Sequence, residues 1–247
     1  MPSIEDVGII FYTKKHKGDS LVVKIISKNN NIVTGFVFNA LNKTNFCKNQ
    51  IGNYVHFCYS KDNENSLGIL NIDLINSNSE IFFQKKESIA IINSAIFFLN
   101  FLLIENSETE LIYKKFFNLV FSIKNNANYI ILYYLDFLFS LFEYLGINLN
   151  PYICSVTSDQ NTYYISPKTG NAVTKSIGEK YKDKLFIIPK CFKQFIYEKD
   201  DIINALNIMF FFLQKFIQEN NLFYLKKDFT FLSKALIFTV KNSNFNF

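Results

Sequence analysis

The 247-residue sequence predicts an α+β fold in which a barrel of strands comes first and a helical region follows. Three observations lead to this prediction. Short β-branched and aromatic segments, separated by polar turns, fill residues 8–75. Apolar residues recur at helical spacing from residue 86 onward. Hydrophobic residues make up 49% of the chain, which excludes a disordered tail and is enough for a substantial core.

The first third contains five segments of strand character, at residues 8–13, 21–26, 32–38, 54–59 and 67–75. Three asparagines at 29–31 favour a hairpin, because asparagine tolerates positive φ. In the last segment Leu70, Ile72 and Leu74 alternate with polar residues, so we expect one buried and one wet face. Five such strands favour an OB-fold barrel, and an SH3-like barrel would give a similar pattern.

The later part of the chain predicts helices at residues 86–103, 108–123, 129–145, 201–220 and 228–240. The third is apolar on nearly every face, which predicts a place in the middle of a bundle, and Gly146 is placed to end it. A polar, basic insert occupies residues 148–189, and the tail at 241–247 is expected to fray. The predicted domains are therefore 1–78 and 79–247.

The charge of the chain permits a polyanionic partner without requiring one. The net charge is +5, and all 26 basic residues are lysine. Residues 153–199 hold 8 lysines against 4 acids, which is the strongest local excess of positive charge. Any phosphate contact must therefore use lysine ammonium groups, amides or backbone, since no guanidinium fork is present.

Cysteine usage and hydropathy predict a location in the cytoplasm. The four cysteines, none in a C-x-x-C pair, are Cys47, Cys58, Cys154 and Cys191. Nothing in the first 20 residues resembles a signal peptide, so a disulfide framework is not expected. The longest apolar run, residues 88–104, contains Asn93 and Asn100 and is short for a bilayer span, so we predict no membrane association.

Catalytic chemistry has little support in the sequence. His16 lies in a lysine run and His56 lies in a predicted strand beside aromatic residues. No nucleophile elbow, metalloprotease motif or phosphate-binding loop is present, and the turn at residues 166–170 lacks the spacing of such a loop. We expect Cys191 to pack as a small hydrophobic residue. The chain is predicted to have no catalytic residues, no cofactor and no enzymatic activity.

The most specific motifs lie between residues 145 and 189. They read Leu145-Gly146-Ile147, then Cys154-Ser155-Val156-Thr157, then Tyr164-Ile165-Ser166-Pro167-Lys168-Thr169-Gly170, and finally Ile188-Pro189. Their order and spacing closely resemble the segment after the central helix in bacterial RecO proteins that have lost their zinc site. Near the N-terminus, the basic turn at 14–20, the turn at 50–53 and Leu67-Gly68 are similar to the same family.

The resemblance implies an N-terminal OB-fold barrel and a helical domain that carries a small, degenerate zinc-finger-like insert at 148–189. It also implies a recombination mediator in the RecF pathway of DNA repair. Such a protein binds single-stranded DNA and the tail of the single-strand-binding protein, pairs with RecR, helps to load RecA and anneals strands. A nucleoid-associated location follows from these partners.

Two departures from the family pattern change what is expected. The family's basic loop after the third strand corresponds here to residues 39–44, which contain one lysine, Lys43. In the insert Cys154 remains, but Thr157 stands where the family has a second cysteine. A structural zinc site needs four ligands, so we predict no metal.

The expected DNA-binding residues are lysines of the barrel and insert, which attract phosphate, and two aromatic residues that can stack on bases. They are Lys14, Lys15, Lys17, Lys24, Lys28, Lys43, Lys48, Phe38, Tyr59, Lys168, Lys175, Lys180, Lys182 and Lys184.

Three other functions fit the same sequence. The first is a protein-interaction scaffold of the same fold with little affinity for DNA. The second is an OB-type RNA-binding module, and the third is a peripheral membrane protein that uses its phenylalanine-rich helices.

Overall fold

Five strands form the N-terminal part of the structure, a computed structural model that describes residues 3–29, 31–63, 66–78, 86–105, 107–125, 129–194 and 198–243. The strands are β1 (Ser3–Lys15), β2 (Leu21–Ser27), β3 (Ile32–Val37), β4 (Tyr54–Ser60) and β5 (Gly68–Asn76). All five predicted strands are present. β1 begins five residues before its predicted start, because its first residues pair with β4 from Ser3 opposite Ser60 onward.

These strands close into a barrel in the order β1-β2-β3-β5-β4, with β1 also paired to β4. All pairs are antiparallel except β3 with β5, which is parallel and joins Gly35 to Gly68. A Cβ on Gly68 would lie 2.4 Å from the Tyr59 ring and 2.5 Å from the Ser60 carbonyl oxygen, so glycine permits the close approach that closes the barrel. This order agrees with an OB-fold and confirms the predicted fold class.

The barrel interior is filled by aliphatic side chains and one aromatic ring from all five strands. Ile10, Val23, Ile25, Val55 and Phe57 are fully buried there. The predicted alternation in β5 is correct for Leu70 and Ile72, which are buried, and wrong for Leu74, which is 38% exposed. The pairing with β4 becomes irregular beside Leu74, so the strand leaves the core at this point.

One predicted hairpin depends on positive φ in an asparagine. Asn31 has φ +57°, as expected for the turn between β2 and β3, whereas Asn30 lies outside the described residues. The polar segment at residues 60–66, which the sequence predicts as the turn between the fourth and fifth strands, also lies in part outside them, at residues 64 and 65.

The helices follow in the predicted order, and each predicted bound agrees with the structure to within two residues. They are α1 (Lys86–Leu102), α2 (Glu110–Asn125), α3 (Ile130–Leu145), α4 (Lys175–Gly178), α5 (Lys199–Glu219) and α6 (Lys226–Lys241), of which the four-residue α4 was not predicted. Only Asp136 and Glu143 of α3 are exposed, and Gly146 ends that helix with φ +68°. No helix in the described ranges combines the length and hydropathy needed to cross a membrane.

The chain separates into two compact units, Met1–Phe137 and Leu138–Phe247. In the first, Lys24 on β2 donates to the Asn100 side chain of α1 at 3.0 Å, and Thr34 on β3 donates to Glu105 at 2.6 Å. The buried hydroxyls of Ser94 and Tyr134 lie 2.5 Å apart and join α1 to α3. The sequence-based boundary near residue 78 stays a prediction.

The second unit contains a sheet that the sequence pattern did not predict. Its strands are β6 (Asn150–Cys154), β7 (Thr162–Ile165), β8 (Asn171–Thr174) and β9 (Phe186–Ile187), in the order β6-β8-β7-β9. Gly170 immediately precedes β8 with φ +73°, and a Cβ there would lie 1.7 Å from the Asn148 carbonyl oxygen. The turn at 166–170 is therefore possible only with glycine at its end. Helices α5 and α6 pack on each other, with Phe210 and Phe229 edge to face at 6.0 Å.

Candidate nucleic-acid interface

An outward-facing row of side chains crosses one end of the barrel. Lys14 on β1 lies opposite Val22 on β2, and Val22 lies opposite Phe36 on β3. Phe36 in turn lies opposite Ile69 on β5, which is 37% exposed. Because directly opposed residues share a face of a sheet, these side chains form one continuous surface. With the adjacent His16 and Phe38, this surface is called the barrel patch: Lys14, His16, Val22, Phe36, Phe38 and Ile69.

The centre of the barrel patch is a short stack of rings. The His16 and Phe36 rings are 4.8 Å apart at 45°, and the Phe36 and Phe38 rings are 6.4 Å apart and nearly parallel. Phe38 is 54% exposed, so one side of the stack is open to solvent. An unpaired base can stack on such a ring, because every base has an apolar face. Phe38, which the sequence predicts as a stacking residue, therefore has an open ring face on which a base can stack.

Exposed lysines surround the barrel patch. Lys14, Lys15 and Lys17 belong to the end of β1 and the turn after it, and Lys43 lies in the connection between β3 and β4. That connection reaches the turn, since the Leu41 N–H donates to the Asp19 carbonyl oxygen at 3.2 Å. Within the described part of the chain, none of these four ammonium groups forms an ion pair or a hydrogen bond. Their charge is free to act on a phosphate.

Three predicted residues of the barrel already have partners in the protein. Lys24 donates to Asn100, and its ammonium lies 5.4 Å from the Tyr12 ring centroid. Lys48 lies 3.3 Å from Asp73. Tyr59 is half-buried and packs against the barrel core. Their prediction as DNA contacts is untested, and their present contacts weigh against it.

Lys28 lies apart from the barrel patch, in a second cleft of the first unit. The cleft holds about 340 Å³ and is lined by Lys28, Tyr54, Tyr113, Lys114, Phe117 and Asn118. The Tyr54 ring stands edge-on to Phe117 at 5.4 Å. Burial raises the pKa of Tyr113, and its hydrogen bond with Tyr54 raises it further. Sequence reasoning missed this cleft because α2 supplies four of its residues from a predicted helix face that reads as ordinary core.

Another part of the barrel wall carries acids and metal-ligating groups. Glu5 on β1 lies opposite Cys58 on β4, and the His56 Nε2 atom lies 2.9 Å from a Glu5 carboxylate oxygen. The donor atoms of these three residues lie within 4.8 Å of one another, the one such group among the described residues. Together they offer a set of N, O and S donors that zinc accepts, and the hydrogen bond between His56 and Glu5 satisfies two of them without a metal. The prediction of no metal stays a prediction.

The lysines predicted in the insert are all exposed, but they spread over two places. Lys168 lies in the turn between β7 and β8, whereas Lys175, Lys180, Lys182 and Lys184 follow β8. Lys182 lies 3.4 Å from Glu179, and because both side chains are exposed, this ion pair contributes little to the stability of the fold. The Lys175 ammonium lies 5.2 Å from the Tyr163 ring centroid. Of the four lysines that follow β8, Lys180 and Lys184 have no ion pair or hydrogen bond among the described residues.

Cys154 has a thiol whose pKa is lowered by its surroundings. It is 1% exposed at the end of β6. Burial raises the pKa of its thiol, but hydrogen bonds from the Thr157 side chain and from backbone groups of Thr157, Val156 and Thr174 outweigh burial and bring that pKa to about 7. Thr157, which stands where the family has a second cysteine, therefore serves as a hydrogen-bond donor to the sulfur.

A pocket of about 220 Å³ in the second unit combines apolar walls with lysine. Ile147, Phe212 and Phe216 line it together with Lys168 and Lys215. The Lys215 ammonium donates to the Lys168 carbonyl oxygen at 2.7 Å and lies 3.9 Å from Glu219. The Glu219 carboxylate lines the pocket as well, so charges of both signs stand beside the apolar walls.

In the described parts of the chain, neither histidine is placed to activate a serine, threonine or cysteine. His16 packs on Phe36 and His56 pairs with Glu5, and neither hydrogen-bonds a serine, threonine or cysteine there. Burial raises the pKa of the Cys191 thiol, and the nearby Asp201 carboxylate raises it further. A thiol with a raised pKa is a poor nucleophile, which agrees with the expectation of a packed side chain.

No family model matches this chain. Similar proteins were found by comparison with individual sequences. DNA repair protein RecO of Wolbachia pipientis subsp. Culex pipiens is 32% identical over 222 residues, which cover 86% of this chain and 90% of that protein. DNA repair protein RecO of Orientia tsutsugamushi (strain Ikeda) is 30% identical over 222 residues, covering 87% and 90%. The protein of the same name from Rickettsia canadensis is 29% identical over 228 residues.

Proposed function

This chain belongs to the family of DNA repair protein RecO, and on that premise we propose that it captures single-stranded DNA on the barrel patch during repair. Its role is in DNA repair and recombination. The finer part of the proposal concerns the ligand and the partners: an unpaired DNA strand, the tail of the single-strand-binding protein, RecR and, indirectly, RecA.

The barrel patch is the observation that carries the proposal. An open ring at Phe38 stands beside four exposed lysines without bonding partners in the described residues. A base can stack on the ring while neighbouring phosphates meet the ammonium groups. Duplex DNA is a poorer ligand, because its base faces are already covered by stacking. The patch therefore favours single strands.

Acidic residues elsewhere on the barrel surface also favour the barrel patch as the side that binds DNA. The outer faces of β1, β4 and β5 carry Glu5 and Asp73, and Asp73 neutralises Lys48. A phosphate chain is repelled by acids at short range. The lysines near the barrel patch are thus the more favourable path for a strand.

Protein partners are the second part of the proposal. The pocket of the second unit has apolar walls that suit the aromatic end of an acidic tail, and Lys168 and Lys215 stand beside them for its carboxylate, with Lys215 also 3.9 Å from Glu219 of the lining. We assign the tail of the single-strand-binding protein to it. Partner binding, strand annealing and recombinase loading need no bond chemistry in this chain, so we propose a mediator without enzymatic activity, located in the cytoplasm at the nucleoid.

Fluorescence anisotropy with a labelled oligo(dT) tests the proposal at low salt. We expect saturable binding that weakens steeply as salt rises, and weaker binding of the matching duplex. An equal affinity for oligo(U) would favour an RNA-binding module, since the 2′-OH is then no obstacle. An absence of DNA binding at low salt, with partner-tail binding intact, would favour the scaffold function.

A protein-interaction scaffold with little affinity for DNA is the second candidate function, because the barrel has few basic residues in one of its connections. The connection between β3 and β4 has one lysine, Lys43, in residues 39–44, and the chain has no arginine. Lysine makes a point contact with phosphate, whereas arginine can make two parallel hydrogen bonds. The affinity of this barrel for DNA is therefore expected to be modest.

A further inference from the structure

Three aromatic rings stand on the outer side of the last helix at regular intervals. Tyr224, in the turn that leads into α6, is 69% exposed, Phe231 is 77% exposed and Phe238 is 68% exposed. Each is seven residues from the next. For Phe231 and Phe238, both within α6, this is about two turns of helix and about 10.5 Å along the axis, so these two rings lie nearly in line, and Tyr224 precedes them in the 3-10 turn.

A lysine follows each ring by three residues and lies on the same face. These lysines are Lys227, Lys234 and Lys241, and all three are exposed. Within the described ranges, none of their ammonium groups has an ion pair or hydrogen bond. The α6 stripe is the resulting alternation of ring and cation: Tyr224, Lys227, Phe231, Lys234, Phe238 and Lys241. One exposed acid, Asp228, lies beside it three residues before Phe231, so the cations outnumber the acids on this face by three to one.

The stripe is not part of the core of its own helix. α6 buries Phe229, Ser233, Leu236 and Val240, which lie on the opposite side of the helix. The inner side is held by α5, through contacts such as Phe229 with Phe210. The α6 stripe is thus an exposed aromatic surface that packing within the described fold does not require.

We propose that the α6 stripe binds a single strand of nucleic acid. A nucleic-acid strand alternates apolar base faces with anionic phosphates, and the stripe alternates rings with ammonium groups along one face of the helix. Each ring can take one base, and each lysine can meet the phosphates between them. At about 10.5 Å the rings are farther apart than the 3.4 Å rise per nucleotide, so neighbouring rings meet bases that are not adjacent in the strand. A base face is open to a ring only where the strand is unpaired, so the ligand is a single strand.

The order of residues on the stripe argues against a lipid surface. A helix that lies in a bilayer keeps a wide apolar face, with its lysines on the polar side. Here Lys227, Lys234 and Lys241 each lie only about 60° around the axis from the ring before them, so the apolar face is narrow and insertion of the rings would bring ammonium groups close to the hydrocarbon. A flexible polymer with alternating chemistry fits this surface better.

This inference extends the proposed function, because it adds a second contact for the strand on the other unit. A fluorescence experiment on the full chain tests it separately, since the sequence has no tryptophan. Phe231→Trp places a single indole on the α6 stripe, and Phe38→Trp places one on the barrel patch. We expect oligo(dT) to quench the Phe231→Trp variant saturably, because a base stacks on the indole. Adding Lys234→Glu should weaken the midpoint of quenching about tenfold or more.

A matched control comes from the same helix. Lys226 is exposed but lies about 100° around the axis from Lys227, so Lys226→Glu should leave the quenching midpoint nearly unchanged. Equal losses from the two lysine substitutions would overturn the proposal, since they would point to net charge alone. A silent Phe231→Trp variant beside a quenched Phe38→Trp variant would overturn the stripe and leave the barrel function standing. The reverse result would support the stripe and refute the barrel patch.

Two other occupants give different signals. A blue shift of the Phe231→Trp emission with vesicles rich in anionic lipid, without a response to oligo(dT), would overturn the proposal in favour of a membrane. A shift that depends on protein concentration alone would overturn it in favour of a second copy of the chain.

Discussion

Replacing Phe38 with alanine removes the open ring of the barrel patch. The ring is 54% exposed and stacks on Phe36 at 6.4 Å, so one face is available for a base. Loss of one stacked base costs about 1–3 kcal/mol, and each 1.4 kcal/mol is a tenfold change. Because Phe36 remains beneath as a partial replacement, we expect the lower part of this range, an affinity for oligo(dT) about tenfold weaker.

The same substitution should change folding little. Phe38 lies after the end of β3 and outside the barrel core, so the free energy of unfolding should fall by less than about 1 kcal/mol. The matched control is Phe101→Ala, which removes a ring that is 42% exposed and lies 5.0 Å from Phe97 on α1. Anisotropy titrations and urea unfolding measure both quantities. Equal losses of DNA affinity in the two variants, or no loss in Phe38→Ala, would refute the assignment of the barrel patch.

Three further predictions follow from single features. Replacing Lys14, Lys15 and Lys17 together with alanine should reduce the slope of log affinity against log salt by about 2, because each phosphate contact on a single strand contributes about 0.7 to that slope. The control Lys48→Ala should change the slope little, because Asp73 already neutralises that lysine. The pKa of Cys154 is lowered to about 7 in the folded chain, whereas the unfolded chain keeps the thiol proton to a higher pH. The free energy of unfolding should therefore rise between about pH 7 and 9. Urea unfolding measured across this pH range should show the rise in the original chain and lack it in Cys154→Ser. Gly170→Ala should destabilise the chain by at least about 1–3 kcal/mol in urea unfolding, because φ is +73° and a Cβ would meet the Asn148 carbonyl oxygen; a loss no larger than that of Gly18→Ala, which has φ +61° and open space, would contradict the clash.

The order of the strands and helices could be predicted from the sequence, because the spacing of apolar residues reflects which side chains are buried. The third helix was recognised from apolar residues on nearly every face, and its predicted end at Gly146 is correct. The early start of β1 could not be predicted, since it depends on pairing with β4, about 50 residues away. The sheet of the insert was missed for a similar reason, because its strands have 2–5 residues and depend on close approach at Gly170.

The candidate site was predictable by residue type but not by position. Lysines and an exposed phenylalanine could be named from the sequence, yet a strand pattern alone cannot tell which face is outward. The cross-strand register places Lys14 and Phe36 in one row and leaves Lys24 bound to Asn100. The α6 stripe has a sequence signal, a seven-residue repeat of aromatic and lysine residues, but Phe231 and Phe238 read equally well as core until their exposure is known.

The central claim is that this chain binds single-stranded DNA through lysine and aromatic contacts on its barrel. Anisotropy of labelled oligo(dT) with the purified full chain, measured from low to physiological salt, tests it most directly. The account predicts saturable binding at low salt that weakens linearly in log salt, with a loss of affinity in Phe38→Ala. An absence of binding at low salt, or binding insensitive to both salt and Phe38→Ala, would contradict it.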